Sequence, residues 1–137
     1  MTGDAEISTA TLRHNPLNAV TATVERITYP DGRTAVRKQL RKPVESTGPW
    51  AASTDPRHWN YWRRELEVYQ DEELRKQLAD AGLVLPAAEV EEYADGAVLL
   101  LEDIEGTPGT DFLFQERGQA LTFVANWCAE AITRARR

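Results

Sequence analysis

Twice in this chain a pair of short extended segments is joined by tight-turn residues, and a stretch of helical periodicity separates the two pairs. That order restricts the fold more than any other feature. In the first pair, Val20–Tyr29 is rich in β-branched residues and partly alternates, and Pro30-Asp31-Gly32-Arg33 supplies turn chemistry. Thr34–Leu40 then returns as the second strand. In the second pair, Ala88–Tyr93 alternates, Asp95-Gly96 makes the turn, and Ala97–Ile104 is a strongly apolar strand.

The segment between the pairs reads as helix. Asp55-Pro56 has the form of an N-cap followed by proline at the first helical position. Trp59, Trp62, Leu66 and Tyr69 then recur with helical spacing as one apolar stripe, with Glu65 at its margin. The same helix, or a second one after a bend near Asp71, continues through Leu74 and Leu78 to Gly82, placed as a C′ glycine. A last helix is expected from about Gln115, with Leu121, Val124, Ala125, Cys128 and Ile132 on one face and Phe123 and Trp127 widening it. These elements predict an α+β fold: an antiparallel sheet of about five strands, one main helix packed across it, and a C-terminal helix. Residues 1–10 are expected to be flexible, 11–106 to form the sheet-and-helix lobe, and 107–137 to form a linker and the last helix.

Composition removes several function classes. The net charge of −6 argues against a general nucleic-acid binder. The basic run Arg37, Lys38, Arg41 and Lys42 does not change this, because strand alternation splits it across two faces. One cysteine, Cys128, excludes an internal disulfide framework and a multi-cysteine metal site, and on an apolar helix face it reads as a small buried hydrophobe. No apolar run approaches the ~20 residues of a membrane span, and Met1–Thr11 lacks the apolar core of a signal peptide. A cytoplasmic protein with no membrane partner is the resulting expectation.

One cation stands out. In Thr34–Leu40, Val36, Lys38 and Leu40 share a face while Arg37 and Gln39 share the other, so Lys38 lies among apolar side chains. Such a position needs a nearby anion, or desolvation favours the neutral amine. Glu65 on the following helix is the candidate. Two bland readings stand beside this one. Lys38 can snorkel near a strand end, and Glu65 can be a solvated helix charge beside Arg63, Arg64 and Glu67. The tryptophan stripe reads as core rather than a ligand cage.

A resemblance gives these residues a context. His58-Trp-Asn-Tyr-Trp-Arg-Arg-Glu-Leu-Glu-Val-Tyr69 resembles the helix of bacterial phosphotransferases related to aminoglycoside and choline kinases, and Leu99-Leu-Leu-Glu-Asp-Ile-Glu-Gly106 is similar to their hinge. It covers roughly Thr11 to Ile132. It implies a protein kinase-like small lobe that binds ATP. Lys38 is then the phosphate-binding lysine and Glu65 its partner. The backbone of Leu101, Glu102 and Asp103 faces the adenine, with Val36 packing on the ring.

Two departures from the family pattern bear on activity. The turn expected over the phosphates, His14–Val20, contains no glycine. The His-x-Asp catalytic loop and the metal-binding aspartate of the family's large lobe have no counterpart in this sequence, so no catalytic and no metal-ligating residue is assigned. Mg²⁺ is expected only if a large lobe is supplied. Two function classes are therefore in play. One is the N-terminal lobe of an ATP-dependent small-molecule phosphotransferase, inactive by itself. The other is a non-catalytic kinase-like module that pairs with itself or with a partner chain through the last helix.

Overall fold

The computed structural model describes residues 8–14, 16–44 and 48–106. The expected last helix, Cys128 and the apolar face assigned to a partner lie outside these residues. The chain divides into two units, Met1–Gln70 with Pro86–Asp103 and Asp71–Leu85 with Ile104–Arg137.

The first unit is an α+β arrangement of five antiparallel strands and a short helix. The strands are β1 (Ser8–Thr11), β2 (Thr21–Thr28), β3 (Thr34–Arg41), β4 (Ala88–Tyr93) and β5 (Gly96–Glu102), and the helix is α1 (Arg64–Gln70). Their spatial order is β1-β2-β3-β5-β4, which makes β3 the central strand. Both expected hairpins are present, β2–β3 and β4–β5. Gly32 takes the first turn with φ +84°, a conformation that favours glycine.

The pairing of β3 with β5 sets the composition of the inner face. Lys38 lies opposite Leu99, Leu40 opposite Ala97, and Val36 opposite Leu101. On its other side Lys38 faces Val24 of β2. Gly96 permits the close approach of β5 to β3, since a Cβ there would stand 2.1 Å from the Leu40 carbonyl oxygen.

The core lies between this face and the chain around α1. Val20, Leu40, Tyr61, Trp62, Leu66, Ala97 and Leu99 form one buried cluster, with Ala52, Tyr69, Val90 and Leu101 packed against it. Leu66 and Leu99 are 0% exposed. Burying side chains of this size contributes roughly 1.5–3 kcal/mol each. An ion pair between Arg63 and Glu92 of β4 ties the start of α1 to the sheet.

Three sequence expectations are corrected. The chain before Thr11 is not wholly frayed, because Ser8, Thr9 and Ala10 pair with Thr28, Ile27 and Arg26 of β2. β5 ends at Glu102 rather than Ile104, which is exposed. The helix begins at Arg64, not after Pro56. Over residues 53–63 side chains that bond to nearby backbone displace the helix ladder. The Arg57 N–H donates to Asp55 Oδ1 at 2.9 Å, and the Asn60 N–H to His58 Nδ1 at 3.0 Å. The buried Asn60 amide donates to the Trp50 and Ala51 carbonyls. Ser53 and Tyr61 form a parallel bridge. Trp59 consequently leaves the apolar stripe and is 59% exposed, while Trp62 stays buried.

In the second unit, α2 (Glu72–Asp80) starts at the expected bend. Asp71 is extended (φ −88°, ψ 97°) and its carboxylate accepts the Leu74 N–H at 2.9 Å, an N-cap. The Leu83 N–H returns to the Leu78 carbonyl at 2.8 Å around Gly82, φ +97°, which closes the helix C-terminus.

Candidate functional site

Lys38 and Glu65 meet. The Lys38 Nζ donates to Glu65 Oε2 at 2.6 Å, with side chains 22% and 35% exposed. The central position of β3 places Lys38 between Val24 and Leu99 of the neighbouring strands. The burial of Leu66 turns α1 so that the preceding residue reaches the sheet. An ammonium has three N–H donors. One is engaged by Glu65, and two remain for other oxygens.

The pair opens into a cleft of about 370 Å³, within the roughly 300–1,000 Å³ usual for small-molecule sites. Asn18, Val20 and Thr21 form one wall, and Trp59, Arg64 and Val68 contribute to the other. The Asn18 side chain accepts the Val20 N–H at 3.1 Å and fixes the bend leading into β2. Arg64 donates to the Pro56 and His58 carbonyls at 3.2 and 2.7 Å and lies 5.9 Å from the Tyr61 ring centre. Among the described residues it makes no ion pair. The cleft thus holds two cations against the single carboxylate of Glu65, on a chain with a net charge of −6.

The remaining expected site residues are not gathered there. Val36 and Leu101 are cross-strand partners of each other on the Lys38 face, but neither lines the cleft. Glu102 points its N–H at the Ala87 carbonyl, 2.9 Å, and its carboxylate accepts the Ala87 N–H at 3.2 Å. That amide is engaged within the sheet edge, at the chain entering β4. Asp103 is held by Arg26, at 2.8 and 3.3 Å. The Arg26 guanidinium, with help from Thr34, holds the Asp103 carboxyl below its ordinary range. The Glu67 carboxylate accepts the Tyr61 hydroxyl at 2.8 Å and pushes that phenol's pKa up.

Asn18, Arg64 and Trp59 were not picked out by sequence reasoning as site residues. The signal for them was the cluster Ser53, Asp55, His58 and Asn60, whose side chains favour local turns over helix. Among the described residues no group of three or more His, Cys, Asp or Glu is arranged to hold a metal ion. No described helix is long and apolar enough to cross a membrane. No protein-family model, curated protein or solved structure matches the chain.

Proposed function

We propose that the first unit is the nucleotide-holding small lobe of an ATP-dependent small-molecule phosphotransferase, of the aminoglycoside phosphotransferase-like, protein kinase-like kind. The observation that carries this reading is the 2.6 Å Lys38–Glu65 pair, joining the central strand to the helix packed on it and opening into a cationic cleft. A structural ion pair needs no cleft, and an isolated cation in apolar surroundings is costly. A cation steadied by one carboxylate, with two donors left facing open space, suits phosphate oxygens.

In this reading Lys38 binds and orients the phosphates, and Glu65 is a positioning residue. The excess of positive charge in the cleft supports ATP as the ligand. Mg²⁺, if a second lobe supplied its ligands, would offset the charge of the phosphates that Lys38 holds. This sequence contains no His-x-Asp motif, so in this reading a catalytic base would have to be supplied by a second lobe. The chain alone then binds nucleotide and does not turn over. A cytoplasmic setting, where ATP is abundant, accords with this role.

Calorimetric titration of ATP–Mg²⁺ into the wild type and Lys38→Ala tests the reading. Saturable binding that Lys38→Ala abolishes is expected. Binding that is absent, or equal in the two proteins, overturns it.

A further inference from the structure

We infer that Trp59 is the platform on which the planar ring of a nucleoside polyphosphate stacks while Lys38 holds its phosphate end. The inference rests on the nucleotide-holding reading above and assigns the ring a different seat from the hinge. Three observations carry it.

First, Trp59 lines the same cleft as Lys38, Arg64 and Glu65, whereas Leu101, Glu102 and Asp103 do not. The Glu102 N–H is spent on the Ala87 carbonyl at 2.9 Å. An aromatic surface and an excess of positive charge in one cleft select a ligand that is planar at one end and anionic at the other.

Second, Trp59 is exposed yet held. It is 59% exposed, and its neighbour Trp50 is 45% exposed. Two adjacent exposed indoles form an apolar patch, and such patches, unlike single exposed side chains, mark binding surfaces. Trp50 meets the Trp59 ring edge-on, 5.8 Å between centroids and 76° between planes, and the His58 ring lies 6.0 Å away at 30°. A ring already oriented by its neighbours loses little conformational freedom when a ligand covers it.

Third, the backbone beneath the indole is fixed by bonds that have no role in the sheet. His58 Nδ1 accepts the Asn60 N–H, the Asn60 amide holds the Trp50 and Ala51 carbonyls, and Arg64 holds the Pro56 and His58 carbonyls. The same Arg64 thus orients the turn that carries Trp59 and adds charge to the cleft. These bonds explain why the helix is given up over residues 55–63, and its loss is what turns Trp59 outward.

The test compares ATP–Mg²⁺ with inorganic tripolyphosphate–Mg²⁺, by calorimetry and tryptophan fluorescence, in the full chain and in Trp59→Ala, Trp59→Phe and Lys38→Ala. ATP is expected to bind tighter than tripolyphosphate and to quench fluorescence. Trp59→Ala is expected to weaken ATP by about 5- to 150-fold, the range of base–aromatic stacking, and to leave tripolyphosphate unchanged. Trp59→Phe, which keeps a π-face, retains most of the ATP affinity. Equal affinity for the two ligands in the wild type, or ATP binding indifferent to Trp59→Ala, overturns the ring assignment and leaves the Lys38 phosphate site standing. A Trp59→Ala loss that is the same for both ligands overturns it too, because the indole then supports the cleft rather than the ring. Failure of both ligands to bind the wild type removes the nucleotide reading with it.

Discussion

Removing Glu65 should cost the protein more than removing Lys38, and the size of the difference depends on their surroundings. At 2.6 Å, with an effective dielectric of about 20, the gross attraction of the pair is about 6 kcal/mol. Most of this is offset, because both ions are partly desolvated and Glu65 is 35% exposed to screening water. A net coupling of about 1–2 kcal/mol remains, above the 0.2–1 kcal/mol typical of surface pairs. Glu65→Ala leaves the Lys38 ammonium without its carboxylate, on a side chain only 22% exposed, and should cost about 1–2 kcal/mol. Lys38→Met keeps the packed stem, and the freed Glu65 can turn to water. It should cost less than about 1 kcal/mol. The double variant should fall close to Lys38→Met alone, since Glu65 then has no cation to serve. Urea unfolding of the four proteins, followed by far-ultraviolet circular dichroism at low salt and at 1 M NaCl, gives the coupling directly. Additive single effects, within about 0.3 kcal/mol, would show that the pair does not interact across β3 and α1, and the positioning role of Glu65 would fall with it.

Two further predictions concern the frame around the site. Gly96→Ala drives a methyl into the Leu40 carbonyl, which is backbone and cannot swing aside, so a loss of about 1–3 kcal/mol is expected in the same unfolding assay. Asp103→Asn should cost about 1–2 kcal/mol at neutral pH by weakening the bond to Arg26. Because Arg26 lowers the Asp103 pKa in the folded state, the carboxylate's contribution is complete above its ordinary value of 3.8 and is lost as pH falls through the lower folded value. The stability gap between wild type and Asp103→Asn should therefore stay constant from pH 7 down to about pH 5 and close only in stronger acid. A gap that closes near neutrality contradicts the assignment.

Much of the frame was legible before any coordinates. The β2–β3 and β4–β5 hairpins follow from alternation and from Asp-Gly turn residues. The Gly82 stop follows from capping chemistry, and of the two readings left open at Asp71 the structure takes the break, with Asp71 as N-cap. The Lys38–Glu65 contact was legible for a different reason, since a cation in an apolar row demands an anion and α1 offers one at the margin of its stripe. The path of residues 53–63 escaped. Asp55-Pro56 opens a turn as readily as a helix, and the spacing of Trp59 and Trp62 satisfied a helical period that the chain does not use there. The deciding bond joins Asn60 to the Trp50 carbonyl, ten positions back, and no local pattern signals it. The hydrogen bonding of the Leu99–Gly106 segment lay beyond the sequence in the same way. The motif identified the strand, but the engagement of the Glu102 amide by Ala87 depends on where the chain entering β4 lies.

The most direct measurement of the central claim is chemical labelling of lysine by an ATP acyl phosphate, which acylates an amine lying beside the bound phosphates. The chain has three lysines, Lys38, Lys42 and Lys76, and peptide mapping separates them. Labelling concentrated on Lys38 and suppressed by excess ATP–Mg²⁺ is the predicted result. Labelling spread over Lys42 and Lys76, or labelling of Lys38 that excess ATP does not suppress, contradicts a phosphate site at the Lys38–Glu65 pair.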